Sequence, residues 1–184
     1  TEPATPEIYT GDTSSAASDV YKRQLSQLEG WTAPAAAWER GLLASRCADY
    51  APQRLDEQFL SGYLTWFRPG SGGQAAQQLV AATPIAMVPR RNAPAWNRTS
   101  ESDTAPLGST AARLFAILQR HGAMFTADLE QESGLVQVQL EQGIAELVAS
   151  GLVTADAFSP LRWLVRPESE KRRQQTRMGR RAQG

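Results

Sequence analysis

The chain has 184 residues, of which 41% are hydrophobic, and its formal net charge at pH 7 is zero. It is long enough for one domain or two small ones. Because its net charge is zero, the protein as a whole has no electrostatic attraction for nucleic acid. One cysteine (Cys47) and one histidine (His121) exclude an intrachain disulfide and a Cys/His zinc site built within the chain. No segment approaches the roughly 18 apolar residues of a membrane span and none resembles a secretion signal, so we expect a cytoplasmic protein without a membrane partner.

The first 24 residues are polar, rich in Ser, Thr and Ala, and without hydrophobic period. This composition predicts disorder. Residues 9–24 also resemble the translated sequencing-adapter peptide found at the ends of genes predicted from environmental DNA. Together with the missing initial methionine, this resemblance predicts a truncated gene product, and residues 1–24 are therefore excluded from the predicted fold.

The clearest predicted unit covers residues 107–166. Three helices are expected: one after Ser109, a short one capped by Thr126, and a third over Val136–Ser150. Gly151 suits the left-handed residue that follows a helix. Two short strands, Leu152–Thr154 and Leu161–Val165, would then form a β-hairpin, so this unit is predicted to be a winged-helix domain.

An earlier unit, residues 25–96, has a similar ending. Pro52 suits the first position of a helix, and Tyr50 and Leu55 occupy the positions of a hydrophobic staple. Tyr63–Phe67 and Ile85–Val88 are predicted to be its wing strands. We interpret this unit as an incomplete winged helix, followed by a polar linker at residues 97–106. The predicted fold class is mainly α with short β wings, in tandem winged-helix modules of which the first is incomplete.

The chain lacks the residue patterns of a self-sufficient enzyme. There is no Gly-x-x-x-x-Gly-Lys-Ser/Thr loop to hold a phosphate. His121 is expected at a helix C-terminus, where the dipole favours it, and Cys47 is expected to be a small buried or half-buried residue. We therefore predict no catalytic, cofactor-binding or metal-binding residue in these 184 residues.

The predicted helix Val136–Ser150 carries no Lys or Arg but contains Glu141 and Glu146. In winged helices that bind DNA, the third helix usually enters the major groove with basic or amide side chains. The phosphate backbone would repel this acidic helix, so it is not expected to contact DNA bases.

The C-terminal segment is the better nucleic-acid candidate. From Arg162 to the end, eight residues are Lys or Arg and only two, Glu168 and Glu170, are acidic. Trp163 lies among them, and arginine with an interleaved aromatic suits phosphate contact and base stacking. A solubilising tail or interdomain linker at residues 167–184, with Trp163 in the core, is the alternative. The predicted nucleic-acid-binding residues are Arg162, Arg166, Lys171, Arg172, Arg173, Arg177, Arg180 and Arg181. Trp66, Arg68, Arg90 and Arg91 form a weaker set of the same kind.

Several segments, in order, resemble one protein family. They include residues 38–46, 49–56, 80–90, 122–129 and 151–162, together with the Ser61-Gly62 turn. They are similar to the large helicase-related (Lhr) family of superfamily 2 helicases, in the C-terminal extension beyond the motor domains. One departure is Gly41, where a helix former would be expected.

The resemblance implies a series of winged-helix modules followed by a β-rich module that resembles a DNA glycosylase. It implies that ATP and Mg bind in motor domains outside these residues, and that no cofactor binds here. The expected function is a non-catalytic accessory region of an ATP-dependent DNA helicase involved in DNA repair. Its expected partners are the other domains of that helicase, and DNA bound weakly and without sequence preference. The alternative is a winged-helix protein-interaction or regulatory module that is not attached to a motor.

Overall fold

The structure is a computed structural model that describes residues 21–47, 50–69, 79–96, 106–167, 169–171 and 173. The disorder predicted for residues 1–20, nearly all of the predicted linker and most of the basic segment lie outside these residues.

The N-terminal part of the described chain has the element order of a winged helix. Residues 21–27 form a helix, α1. The elements after α1 are β1 (Thr32–Pro34), α2 (Ala35–Ala37), a π-helical turn (Trp38–Leu43), α3 (Ala44–Arg46), α4 (Pro52–Leu60), β2 (Leu64–Phe67) and β3 (Pro84–Pro89). The three strands form an antiparallel sheet of order β1-β3-β2, in which Ala33 pairs with Ile85 and Trp66 with Met87.

Local sequence explains the boundaries of α4. Pro52 occupies the first turn, where its missing N–H costs nothing. Tyr50 and Leu55 both belong to the hydrophobic core around this helix, as the predicted staple requires. Gly62 has a φ of 74°, the left-handed conformation that ends a helix and that glycine adopts without a steric cost.

One prediction for this unit is wrong. The disordered segment was expected to reach Gln24, but residues 21–24 are helical and Tyr21 is buried in the core. The sequence pattern also did not predict α1 and β1, and the helical turns continue through Gly41 as a π-helix. Apolar residues that lie far apart in sequence support α1, since Tyr21, Leu25 and Leu28 pack with Trp38 and Leu55.

In the second part of the chain, the regular elements among the described residues are all helices. A 3₁₀ turn (Arg90–Asn92) and α5 (Ala93–Trp96) precede it. Gly143 allows a close approach between the two longest helices, because a Cβ there would lie 2.6 Å from a methyl carbon of Leu114. The helices are α6 (Ser109–His121), α7 (Thr126–Ser133), α8 (Gln137–Ala149) and α9 (Ser159–Leu164).

The wing predicted for the second unit is wrong. Between residues 150 and 167 no residue is in a strand, and residues 161–164 belong to α9. Pro160 lies in the first turn of α9, where proline favours helix initiation. Leu161 then enters the core, with Leu164 and Val165 packed against it from the same side of the helix. The fold class, mainly α with a small antiparallel sheet, is confirmed.

The described residues form two hydrophobic clusters that meet at Ile144 of α8 and at Val153, which pack against both. The smaller cluster joins α6, α7 and α8 through Leu114, Leu129 and Leu140. The larger cluster contains the winged-helix core and also Phe158 and Leu161 of the second unit. Side chains of α9 are therefore part of the hydrophobic core of the first unit.

Candidate nucleic-acid interface and the contact between the two units

Arg162, the first predicted nucleic-acid-binding residue, lies in an ion-pair network between the two units. Its Nε donates to Glu39 Oε2 at 2.6 Å and its Nη2 to Glu39 Oε1 at 2.8 Å. Its Nη1 donates to Asp56 Oδ2 at 3.2 Å. The side chains of Arg162, Glu39 and Asp56 are only 22%, 15% and 22% exposed. The guanidinium is thus held by two carboxylates within the protein.

The pKa of Arg162 reflects these contacts. Burial alone would lower it, but the hydrogen bonds and charges of Glu39 and Asp56 outweigh burial and raise the pKa above its usual value. Tyr50 donates its hydroxyl to the same Glu39 carboxylate. Burial, followed by that hydrogen bond and the Glu39 charge, raises the pKa of Tyr50. The guanidinium of Arg162 is therefore bound within the protein by two carboxylates, which outnumber it.

The rest of the predicted basic set falls into three groups. Arg166 lies with its guanidinium carbon 6.0 Å from the centre of the Trp163 ring, and both side chains are half-buried. Lys171 is only 8% exposed, so it is not presented to solvent, whereas Arg173 is exposed. Arg172, Arg177, Arg180 and Arg181 lie outside the described residues.

The residues of the weaker set on the first unit, named in the sequence analysis, also differ in their exposure and contacts. Trp66 is buried and donates its Nε1 to the carbonyl oxygen of Ala157 at 3.0 Å. Arg90 forms an ion pair with Asp156 at 2.6 Å. Arg68 is half-buried, and burial lowers its pKa. Arg91 is exposed. Arg90 and Arg91 are thus the exposed cations of this set, and Arg90 is ion-paired.

The helix expected to avoid DNA carries its charges as predicted. Residues 122–161 contain no Lys or Arg. Within α8, Glu141 accepts a hydrogen bond from Gln137 at 3.1 Å. Glu146 accepts one from the backbone N–H of Gly108 at 2.6 Å and so holds the start of α6. No cation from the same stretch offsets these two carboxylates.

Sequence reasoning missed the partners of Arg162 and two exposed tryptophans. Glu39 and Asp56 are more than 100 residues away from Arg162 in the chain, and no local pattern connects them. Trp31 and Trp96 are 60% and 44% exposed. No local pattern distinguished these tryptophans, because Leu28 and Ala93 lie three residues before Trp31 and Trp96, as on an apolar helix face.

Cys47 and His121 do not form a metal site in the described part of the chain. Burial raises the pKa of the Cys47 thiol, against the opposing charges of Arg46 and Arg54. His121 accepts a hydrogen bond from Arg120 at 2.9 Å. Among the described residues, no group of three or more His, Cys, Asp or Glu side chains is arranged to hold a metal ion. No helix within the same residues is both long and apolar enough to cross a membrane.

The order of helices and strands over residues 21–89, with the strand order β1-β3-β2, defines a winged-helix protein. Residues 8–89 match the family model of the winged-helix domain of large helicase-related proteins. Residues 8–89 are therefore similar to the winged-helix domain of that family.

Two curated relatives match most of the chain. The Lhr helicase/uracil glycosylase of Escherichia coli (strain K12) is 28% identical over 173 residues, which are 91% of this chain and 10% of that protein. The Lhr helicase/probable uracil glycosylase of Mycolicibacterium smegmatis (strain ATCC 700084 / mc(2)155) is 28% identical over 166 residues, 84% of this chain and 10% of that protein. The chain thus spans about one tenth of the length of these relatives.

Proposed function

We propose that this chain is a non-catalytic accessory region of an ATP-dependent Lhr-type DNA helicase involved in DNA repair. In this proposal it is a rigid scaffold that also contacts DNA weakly and without sequence preference. The observation that carries the proposal is the docking of α9 onto the winged helix, with Arg162 held by Glu39 and Asp56. The helicase activity itself, with its ATP and Mg, is assigned to domains outside these residues.

A scaffold must hold its parts in a fixed relation, and the contacts around α9 support that role. The rings of Phe158 and Phe59 stack with their centres 5.9 Å apart. The hydroxyl of Thr154 donates to the carbonyl oxygen of Trp66. These contacts combine apolar burial with directional hydrogen bonds, which together define one relative orientation of the units.

The proposed DNA contact is narrower than the sequence predicted. Arg162 is ion-paired and Lys171 is buried. We assign phosphate contact to the other basic residues of the predicted set, Arg166, Arg172, Arg173, Arg177, Arg180 and Arg181, of which only Arg166 and Arg173 are described by the structure. Such binding comes mainly from release of counterions. The logarithm of affinity for duplex DNA should therefore fall by roughly 0.9 per contacted phosphate for each tenfold rise in salt concentration.

A specific observation favours a second candidate function, a protein-interaction module. Phe125 is 82% exposed and Val138 is 65% exposed on the second unit. The same region, residues 122–161, carries no Lys or Arg. An acidic surface with exposed apolar side chains suits another protein better than a phosphate backbone.

The test compares the full chain with a chain that ends at Pro167. We expect weak binding to unrelated duplex sequences, equal among them and steeply dependent on salt, and a large loss on truncation. Neither protein should release phosphate from ATP, with or without DNA. Binding that survives truncation but is abolished by Gln137→Ala or Gln139→Ala would overturn the proposed DNA contact, because α8 would then be the element that contacts DNA.

A further inference from the structure

A surface outside the basic C-terminal segment combines arginine with exposed tryptophan. It consists of residues 22–31, from α1 and the turn after it, and residues 90–96, which follow β3. Two sets of contacts join these segments. Tyr63 accepts a backbone hydrogen bond from Arg90 at 2.9 Å and shares one with Ser26 at 3.0 Å. Glu29 accepts hydrogen bonds from Asn92 at 2.8 Å and from Trp96 at 3.0 Å. We call these two segments the aromatic–basic surface.

Trp96 is held in place although 44% of it is exposed. Its indole N–H is bound by Glu29, so the polar edge of the ring is already satisfied. Its six-membered ring occupies the space that a side chain at residue 30 would fill, since a Cβ on Gly30 would lie 2.2 Å from the ring. Trp31, the next residue, is 60% exposed. A fixed indole beside a second exposed indole is an arrangement on which unpaired bases stack.

The charge of the aromatic–basic surface favours a phosphate backbone. Residues 22–31 and 90–96 contain four cations, Lys22, Arg23, Arg90 and Arg91, and one acid, Glu29. The ion pair between Arg90 and Asp156 offsets one of these cations. Arg23 and Arg91 are exposed. The surface therefore stays positive, in contrast to the second unit, where residues 122–161 carry no cation.

We propose that the aromatic–basic surface binds single-stranded nucleic acid, with bases stacked on Trp31 and Trp96 and phosphates contacted by Arg23 and Arg91. The inference rests on the proposed nucleic-acid contact and adds a second site and a substrate class. Unpaired bases are required because the bases of a duplex are already stacked on one another. A protein-docking surface is the competing interpretation, and the exposed cations Arg23 and Arg91, which lie in the same two segments as the indoles, favour the nucleic acid.

The experiment measures binding of the full chain to labelled oligothymidylate and oligouridylate of about 20 nucleotides and to a duplex of equal length. Each of Trp31→Leu and Trp96→Leu should weaken single-strand binding about five- to tenfold, because each removes a stacking platform. Arg91→Ala should weaken it and reduce its salt dependence. The matched controls are Phe125→Leu, an exposed aromatic on the acidic unit, and Arg113→Ala, an exposed arginine of α6. Both should bind within about twofold of the unchanged chain. A thermal melt of every variant separates lost binding from lost folding.

Intrinsic fluorescence provides a second readout that folding defects do not imitate. Trp38 and Trp66 are buried, so oligothymidylate should quench mainly exposed indoles. Trp31→Phe and Trp96→Phe should each remove part of that quenching. If DNA and RNA strands bind alike, the site recognises bases and phosphates rather than the sugar.

The outcomes distinguish this site from the C-terminal contact. The inference is overturned, and protein docking is favoured, if folded Trp31→Leu and Trp96→Leu bind single strands as the unchanged chain does. In that case, loss of duplex binding on truncation at Pro167 would still support the proposed function. Loss of single-strand binding in the tryptophan variants, with duplex binding unaffected by truncation, would support the aromatic–basic surface and refute the C-terminal contact. If Trp96→Leu does not fold, single-strand binding by Trp31→Leu and Arg91→Ala tests the inference.

Discussion

The ring of Phe158, the residue before α9, lies nearly parallel to that of Phe59 in α4, with an interplanar angle of 17° and centres 5.9 Å apart. Both side chains are buried, at 1% exposure each. The residues come from different units and are almost 100 positions apart. The stacked pair therefore brings the second unit into the hydrophobic core of the winged helix.

Phe158→Ala should destabilise the whole described body. Truncating a buried phenylalanine costs about 3–5 kcal/mol, because it removes apolar contacts and leaves a cavity. Chemical denaturation measures the change. Phe125→Ala, at an 82% exposed position, is the matched control and should change the free energy of unfolding by less than about 0.5 kcal/mol. Two separate transitions in the unchanged chain would show that the units unfold independently, contrary to this packing.

The second prediction concerns the network around Arg162. Arg162→Ala should cost about 3 kcal/mol of unfolding free energy, since it leaves the Glu39 and Asp56 carboxylates facing each other at low exposure. Replacing all three residues, by Arg162→Met, Glu39→Gln and Asp56→Asn, should restore much of that loss. Arg40→Ala, at an exposed position next to Glu39, is the control for removing a positive charge. A loss no greater than that of the control would mean that the network does not stabilise the fold.

The chain from Pro160 to Val165 shows where sequence pattern is ambiguous. Leu161, Trp163 and Val165 alternate as in a strand, whereas Leu161, Leu164 and Val165 share one side of a helix. In a segment this short both patterns fit. Pro160 at the start was the local signal for a helix. Neither a strand nor a helix pattern could have predicted the ion pairs of Arg162, because only the tertiary fold brings Glu39 and Asp56 to it.

The helix endings were predictable because their physics is local. At the end of α4, Tyr63 N–H donates to Gln58 and Gly62 N–H to Phe59. At the end of α8, Leu152 N–H donates to Leu147 and Gly151 N–H to Val148 in the same pattern. A Ser-Gly-apolar sequence is sufficient to specify this cap. The conformation of the chain beyond the cap depends on distant residues, so the similar endings lead to a strand in one unit and to a docked segment in the other.

These two caps give a matched pair of glycine variants. Gly62 and Gly151 have φ values of 74° and 70°, so alanine should cost about 1–2 kcal/mol at either position. A Cβ on Gly62 would meet nothing within 4 Å, whereas one on Gly151 would lie 3.2 Å from the carbonyl oxygen of Arg68. Gly151→Ala should therefore cost more than Gly62→Ala. Equal losses, measured by denaturation, would indicate that the segment after α8 is not packed on β2.

The last prediction concerns alkaline pH and the buried tyrosines. Burial is the largest cause that raises the pKa of Tyr21 and of Tyr50, and the charge of Glu39 adds to both. The pKa of each tyrosine is therefore higher in the folded chain than in the unfolded chain. The stability linked to these protonated tyrosines is fully present below about pH 10 and is lost as pH rises through the raised pKa values. Unfolding free energy should therefore fall above about pH 10, where the unfolded chain releases phenolic protons and the folded chain retains them.

Two conservative variants test whether Tyr21 and Tyr50 cause the fall in unfolding free energy at alkaline pH. Within the described residues the Tyr21 hydroxyl is buried and has no hydrogen-bond partner, so Tyr21→Phe should be neutral or stabilising at pH 7. Tyr50→Phe removes the hydrogen bond to Glu39 and should cost about 1 kcal/mol at pH 7. Both variants should flatten the alkaline decline, and the double variant should flatten it most. A decline of the same size in the double variant would refute the assignment to these tyrosines, because no other change separates the double variant from the unchanged chain.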